Sequence, residues 1–318
     1  MPIIRWGHEI EIVPVYWLWK PMIPYGKVTI IEGDGGDGKT TMILTIAAML
    51  SQGKVPPSLV RGHLVEESDC EPANIFYLTN EDEVADTSLV RYIRAGGVKE
   101  RFSCSAELQE HMTLTEENLL SAIDQTGCRL IIVDPFQAFL PEGTSLGSIT
   151  KMRSIFTALA NVAKKTGVAI VLVGHLNKNE GGKDIHRGFG SADIAASVRS
   201  ILMVEMSKRD REMRWVKTIK SNFDESDYTP VRLVLDEERR LSFAEMEEEE
   251  EEAPTTKIGK AMEIIQALLA AGPVPIEDIF ADCDAYGIGD RTARRAAKEL
   301  GIISRSRDGV TTWELPAD

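Results

Sequence analysis

Short apolar runs alternate with helix-length segments along the first 244 residues. Runs of strand length lie at 74–79, 130–134, 168–174, 200–205, 215–220 and 231–235. The first three are almost continuously apolar and are separated by segments such as 119–126 and 149–166, which is typical of buried parallel strands joined by helices. The last three follow closely on one another and alternate more, which predicts antiparallel strands that extend the sheet. We therefore expect an α/β fold with a mostly parallel sheet flanked by helices.

A run of like charges divides the chain. Residues 245–252 contain seven glutamates and no basic residue, and Ala-Pro-Thr-Thr follows them. Such a run repels itself and has no apolar face to bury, so it predicts a solvated linker. We expect one large domain over residues 1–244 with a lead-in of about 20 residues, an acidic linker over 245–256, and a small domain over 257–318.

Composition narrows the class of protein. Hydrophobic residues make up 43% of the 318-residue chain, which is ample for a core. No run of 18 apolar residues occurs, and the first residues lack a basic region followed by an apolar stretch, so we expect a soluble, cytoplasmic protein with no membrane partner. The net charge is −14, and the glutamates of the linker supply half of it, so local basic surface remains possible elsewhere. The cysteines lack C-x-x-C spacing and are expected to be reduced: Cys70, Cys104, Cys128 and Cys283.

Residues 33–40 match every fixed position of the phosphate-loop pattern G-x-x-x-x-G-K-[ST], between a strand-like run at 27–32 and a helix-like run at 41–50. Lys39 is expected to reach the β and γ oxygens of a nucleoside triphosphate, and the Thr40 hydroxyl to bind Mg²⁺. Asp34 and Asp37 are expected to face solvent, because a carboxylate near a polyphosphate repels it. The predicted nucleotide-binding residues are Gly33, Asp34, Gly35, Gly36, Asp37, Gly38, Lys39, Thr40 and Thr41.

Polar residues at the ends of three other strands are candidates for the chemistry, because ligands of open α/β sheets bind at the carboxyl ends of the strands. Asp134 has the position of a Walker B carboxylate that holds Mg²⁺ together with Thr40, although Asp-Pro also starts turns. Glu81 is the candidate base for the attacking water; Asp82 competes with it, and capping of a helix is the alternative for both. His175 is a candidate γ-phosphate sensor or an ordinary histidine beside the site.

These segments, together with 135–139, 187–191 and 220–222, resemble the RecA-like ATPases of the RepA-type hexameric replicative helicases and the AAA_25-like ATPases of phages, plasmids and mobile elements. The resemblance covers about residues 15–244. It implies a RecA-like P-loop fold, ATP and Mg²⁺ as cofactors, and a homo-oligomeric ring, a hexamer, with the nucleotide at each subunit interface. It also implies Glu81 as catalytic base, with Lys39, Asp134 and His175 in the same site.

The resemblance further implies a basic finger that a neighbouring subunit contributes. Better-studied relatives carry a Lys-x-Arg element there, whereas residues 217–222 read Lys-Thr-Ile-Lys-Ser-Asn. Arg199 is the alternative donor, with Lys217 and Lys220 as weaker ones. An exposed salt bridge is the other interpretation of Arg199.

Two regions are candidates for contact with DNA. The polar segment 178–187 follows the predicted sensor strand and contains Lys178, Lys183 and Arg187, which would contact the backbone of single-stranded DNA; a plain flexible loop has the same composition. Residues 257–318 read as three helices and a hairpin, which resembles a winged helix. Arg291, Arg294 and Arg295 on its third helix favour duplex DNA, although winged helices also dock proteins.

The leading hypothesis is a ring-forming ATP hydrolase that acts on single-stranded DNA, a replicative helicase of a mobile element. A nucleotide-switched DNA-binding regulator without unwinding activity is the alternative. A P-loop kinase for a small metabolite is disfavoured, because the sequence offers no acceptor site or arginine-rich lid.

Overall fold

The computed structural model describes residues 6–80, 84–105, 112–141, 144, 148–174, 197–207, 209–223, 227–244, 257–270, 272–307 and 310–316. Contacts between Cα atoms divide the chain into two compact units, residues 1–246 and 247–318. Within the described ranges, no helix combines the length and the apolar character needed to cross a bilayer.

The first unit is built on a large sheet. Its strands and helices, with the short accessory strands, are β1 (Trp17–Trp19), β2 (Ile23–Pro24), β3 (Val28–Glu32), α1 (Lys39–Ser51), β4 (Ser58–Val60), β5 (His63–Val65), β6 (Asn74–Thr79), α2 (Leu89–Arg94), β7 (Phe102–Cys104), α3 (Glu116–Thr126), β8 (Cys128–Asp134), α4 (Ile149–Thr166), β9 (Ala169–Val173), β10 (Ser200–Met206), β11 (Met213–Ser221), β12 (Val231–Leu235) and β13 (Leu241–Ala244). Strands β1 and β2 form one antiparallel pair, and β4 and β5 another.

Nine strands form the central sheet in the order β13-β12-β11-β10-β3-β9-β8-β6-β7. The six strands from β10 to β7 are parallel, and β11, β12 and β13 are antiparallel. The predicted mostly parallel α/β sheet is confirmed. One detail of the prediction was wrong: β10 is antiparallel to β11 but pairs in parallel with β3. Of the three late runs, β11 and β12 are antiparallel to both neighbours.

Helices cover both faces of the sheet because successive strand residues point to opposite sides. Ile31 and Ile132 pack with the apolar residues of α1, whereas Ile30 and Ile131 pack with those of α3 and α4. Turn chemistry fixes helix ends: the Thr115 hydroxyl accepts a hydrogen bond from Asn118 N at 3.3 Å and caps α3, which stops at Gly127 in a left-handed conformation. The result is a three-layer unit whose strand ends meet at one edge.

The second unit is small. It contains α5 (Lys257–Leu269), β14 (Val274–Pro275), α6 (Ile276–Ala285), α7 (Asp290–Glu299), β15 (Ile303–Arg307) and β16 (Val310–Glu314). The strands form a sheet in the order β14-β16-β15. Ile265, Ile279, Ala296 and Trp313 belong to one buried cluster that joins the three helices to the sheet.

Candidate active site

The phosphate loop lies between β3 and α1, and its glycines are required by geometry. Gly36 and Gly38 have φ angles of 88° and 91°, in the left-handed region that residues with a side chain rarely adopt. A Cβ on Gly33 would lie 2.3 Å from the carbonyl oxygen of Val204 on β10, so the loop backbone passes directly against that strand. Around Gly35 and Gly36, a Cβ would meet no described atom within 4 Å. Helix α1 then begins at Lys39, which directs its N-terminal N–H groups and partial positive charge toward the loop.

The two predicted metal ligands meet at the start of α1. The Thr40 hydroxyl donates a hydrogen bond of 2.5 Å to Oδ2 of Asp134, although 94 residues separate them. Asp134 ends β8 and is 6% exposed. A hydroxyl and a carboxylate are hard oxygen ligands, and Mg²⁺ at phosphate sites is held by one or two such protein groups plus phosphate oxygens. Among the described residues, no group of three or more His, Cys, Asp or Glu is placed to hold a metal ion.

A tyrosine positions the Asp134 carboxylate. Tyr77 is buried in β6, and its hydroxyl donates a 3.3 Å hydrogen bond to Asp134 Oδ2. Ser88, which ends a single π-helical turn at Val84–Ser88, donates from its Oγ to the Tyr77 oxygen, also at 3.3 Å. Burial, and next the nearby Asp134, raise the pKa of Tyr77, so the phenol stays protonated and remains a donor. π-turns often occur at functional sites, and this one follows the segment of the candidate base.

The side chains of Lys39 and Asp37 form hydrogen bonds with the backbone of the phosphate loop. Lys39 is 5% exposed, and its Nζ donates to the carbonyl oxygens of Gly33 at 2.9 Å and Asp34 at 2.7 Å. The expectation that Asp37 faces solvent was wrong: Oδ2 accepts from Asp34 N at 2.7 Å and Oδ1 from Met206 N at 3.2 Å. The carboxylate therefore closes the loop and fastens it to the end of β10. Asp34 itself is exposed, as predicted.

Arg199 and Lys220 lie near the amino ends of β10 and β3, away from the phosphate loop. Lys217 pairs with Met203, which pairs with Glu32, so Lys217 lies level with the end of β3 where the loop begins. Ser200 pairs with Thr29, and the phosphate loop begins four residues beyond Thr29, about 13 Å further along the strand. Arg199 precedes Ser200 and is exposed. Lys220 donates to Val198 O at 2.9 Å, and burial, followed by the charge of Arg199, lowers its pKa. Lys217 forms an ion pair with Glu205.

Several predicted residues lie outside the described ranges, and their roles stay predictions: Glu81, Asp82, His175, Lys178, Lys183 and Arg187. In the second unit, Arg291, Arg294 and Arg295 are exposed on α7, whereas Ala293 and Ala296 are buried. The guanidinium carbon of Arg294 lies 4.8 Å from the centre of the Phe280 ring. The basic and apolar faces of α7 are thus separated.

Two residues at the site were not predicted from the sequence, Tyr77 and Arg214. Tyr77 carries the one hydroxyl inside the apolar run 75–78, and that polar group in a buried strand was a usable signal. Arg214 lies near the end of a strand, where arginine side chains are usually exposed. Its position in the sequence therefore did not indicate that only 5% of the residue is exposed.

Comparison with known proteins agrees with this geometry. The family described as an AAA domain, AAA_25, matches residues 4–181, which is 178 of the 318 residues. The chain belongs to the AAA_25 family. P-loop ATPases of this kind use ATP with Mg²⁺, and the AAA_25 match spans both the loop and Asp134.

Curated relatives of this AAA_25 protein include proteins named DNA repair protein RadA. The one from Brucella abortus is 28% identical over 209 residues, and the one from Mycobacterium tuberculosis H37Rv is 25% identical over 207 residues; each match covers 64% of this chain. The matches cover 38% and 36% of those proteins, so the chain spans less than half the length of these relatives.

Two solved structures are also similar, each with a TM-score of 0.48. A KaiC-like protein from Pyrococcus horikoshii OT3 is 12% identical, with 70% of this chain and 91% of that chain covered. The RadB recombinase is 13% identical, with 70% and 93% covered.

Proposed function

We propose that the protein is a ring-forming motor that hydrolyses ATP and acts on single-stranded DNA, as the replicative helicase of a mobile element. The observation that carries this proposal is the contact between Thr40 and Asp134, which joins the phosphate loop to a strand-end carboxylate. P-loop enzymes that hydrolyse a nucleoside triphosphate use such a hydroxyl and carboxylate to hold Mg²⁺ at the phosphates. The AAA_25 match and the relatives named DNA repair protein RadA support an ATPase that works on DNA.

The residues have distinct roles in the proposed reaction. Lys39 neutralises charge on the β- and γ-phosphate oxygens. Thr40 and Asp134 would hold Mg²⁺, which would supply further positive charge to the phosphates when bound. Glu81 orients the attacking water and accepts its proton as the bond between the γ-phosphorus and the β–γ bridging oxygen breaks, which leaves ADP and phosphate. His175 reports the γ-phosphate to the segment that follows it.

Arg199 acts in a neighbouring subunit in this proposal. Its position near the amino end of β10 supports action in trans, because about 13 Å of strand separates it from its own phosphate loop. Lys178, Lys183 and Arg187 track the single-stranded backbone by charge.

Mixing two inactive variants tests the shared site. Lys39→Ala disables the loop of its own subunit, and Arg199→Ala disables the site of a neighbour, so each alone is inactive in ATP hydrolysis. In a mixed ring, an intact loop meets an intact Arg199 at some interfaces, and we expect activity to return. Arg94→Ala, at an exposed arginine on α2, is the control and keeps wild-type turnover. Mixtures as inactive as the separate variants would refute the trans role.

Strand displacement tests the helicase. A forked duplex with a fluorescent strand is incubated with the protein, ATP and Mg²⁺; wild type displaces the strand and Lys39→Ala does not. Lys54→Ala, at an exposed lysine, is the matched control. Binding of the fork without displacement, at every ATP concentration, would refute the motor.

A second function, a nucleotide-switched duplex-binding regulator, is favoured by the exposed arginines of α7 on a winged-helix-like module. Footprinting on duplex DNA of the protein's own element separates the two functions. The regulator protects a defined sequence and loses it in Arg291→Ala with Arg295→Ala, whereas the motor protects no defined duplex site.

A further inference from the structure

A buried arginine lies against the outer side of the phosphate loop. Arg214 is the second residue of β11 and is 5% exposed. A Cβ built on Gly38 would lie 3.1 Å from Arg214 Nε and 3.6 Å from its Cδ. The outer part of the arginine side chain therefore packs on the glycine that precedes Lys39.

The guanidinium of Arg214 is held in place from the other side. Its Nη1 donates to the carbonyl oxygens of Arg211 at 2.5 Å and Met213 at 3.0 Å, which fixes it to the turn between β10 and β11. Its Nε is buried and has no hydrogen-bond partner among the described residues. A buried donor of a charged group is costly when it lacks a partner, so burial of this arginine needs a compensating interaction.

Asp37 supplies the opposite charge. Its carboxylate fastens the loop by accepting from Asp34 N and Met206 N, the latter at the end of the same hairpin. Met206 pairs with Arg214 across the hairpin while its N–H donates to Asp37, which brings the guanidinium and the carboxylate to the same side of the loop. In agreement with this placement, burial lowers the pKa of Arg214 and the charge of Asp37 acts against that shift. An aspartate in a phosphate loop would otherwise repel the polyphosphate that the loop binds.

We propose that Arg214 is a positioning residue for nucleotide binding: its guanidinium neutralises Asp37, which lets an aspartate fasten the phosphate loop without repelling the phosphates. The β10–β11 hairpin thus becomes part of the nucleotide site, through Val204, Met206 and Arg214. This inference rests on the proposed binding of ATP at the loop and adds a residue that the loop pattern does not contain.

Affinity for a fluorescent ATP analogue with Mg²⁺ tests the proposal in the full chain. Arg214→Met keeps an unbranched side chain that reaches about as far as Nε and removes the charged guanidinium. We expect binding about tenfold or more weaker, since hydrogen bonds and contacts of charged groups carry this order of energy. Arg214→Lys keeps a charge and stays within about threefold of wild type. Arg209→Met, at an exposed arginine in the same turn, is the matched control and keeps wild-type affinity.

The decisive variant combines Arg214→Met with Asp37→Asn. Asparagine keeps one oxygen that can accept a backbone N–H and removes the charge that Arg214→Met leaves unneutralised. We expect the double variant to bind more tightly than Arg214→Met alone, a rescue that a space-filling role for Arg214 does not produce. Thermal melting shows that each variant is folded.

The outcomes separate this inference from the proposed function. No rescue in folded protein, or loss of binding in Arg214→Lys equal to that in Arg214→Met, overturns the role of Arg214 while wild type still binds ATP. Failure of wild type to bind the analogue overturns both.

Discussion

Replacement of Tyr77 by phenylalanine tests whether the Tyr77 hydroxyl positions the Asp134 carboxylate, apart from any effect on the stability of the fold. The change removes one hydroxyl group, which donates a hydrogen bond to Asp134 Oδ2 at 3.3 Å and accepts one from the Ser88 hydroxyl at 3.3 Å. The ring stays in the core, so no cavity of side-chain size forms. Because the pKa of Tyr77 is raised, wild type presents this donor throughout the neutral range.

The lost interaction is of moderate size. A hydrogen bond to a charged group contributes about 1.5–3 kcal/mol, and the 3.3 Å length favours the lower end. A loss of about 1.5 kcal/mol corresponds to a fall of roughly 3–6 °C in melting temperature for a unit of this size. Groups that orient a metal ligand typically change metal affinity by about 10–100-fold, so we expect at least a tenfold higher Mg²⁺ requirement for ATP turnover.

The assay is a Mg²⁺ titration of ATP turnover with melting measured in parallel, and Tyr92→Phe is the matched control. Tyr92 is also buried and donates from its hydroxyl to Val98 O at 3.0 Å, without a described contact to Asp134. We expect Tyr92→Phe to lower the melting temperature and leave the Mg²⁺ requirement unchanged. If Tyr77→Phe also leaves that requirement unchanged, or if both variants shift it equally, Tyr77 does not position Asp134.

Three further predictions address the loop, the metal and alkaline pH. Gly33→Ala places a Cβ 2.3 Å from Val204 O and should lower the free energy of unfolding by about 3 kcal/mol in denaturant titrations, whereas Gly35→Ala, in open space, changes it little. Asp134→Asn should reduce ATP turnover at least about 100-fold and leave the fold intact by circular dichroism; turnover near the wild-type rate would exclude a metal role. Burial raises the pKa of Tyr25 from 10.0 to about 12, so its contribution to stability is complete below pH 10 and is lost between pH 10 and 12. Tyr25→Phe should flatten the fall of unfolding free energy in that interval, and an unchanged slope would exclude the effect.

From the sequence, the strands and helices of the first unit could be predicted better than the way in which the strands pair. The runs that became β6, β8 and β9 are almost continuously apolar, and the glycines with Lys39 and Thr40 match the phosphate-loop pattern between a strand-like and a helix-like run. The direction of β10 could not be predicted, because hydrophobic periodicity is the same for parallel and antiparallel pairing. Strand β7 was missed for a similar reason, since three residues are too few to show a period.

The residues that were predicted for the site lie at strand ends. The contacts of the other site residues depend on how the strands are arranged in space, and these contacts were not predicted. Thr40 and Asp134, which were predicted to share Mg²⁺, lie in hydrogen-bond contact because the carboxyl ends of parallel strands meet at one edge, and their role as metal ligands stays a prediction. The environment of Asp37 was predicted wrongly because its hydrogen-bond partner, Met206 N, is 169 residues away in the sequence. Met206 belongs to β10, the strand whose direction was also predicted wrongly. Arg214 depends on the same hairpin and could not be found without it.

DNA-stimulated ATP turnover by the purified protein tests the central proposal most directly. With Mg²⁺ present, we expect wild type to hydrolyse ATP and to do so several-fold faster with single-stranded DNA, and Lys39→Ala to show neither activity. Equal turnover with and without single-stranded DNA, or turnover that survives in Lys39→Ala, would contradict a DNA motor driven from the phosphate loop.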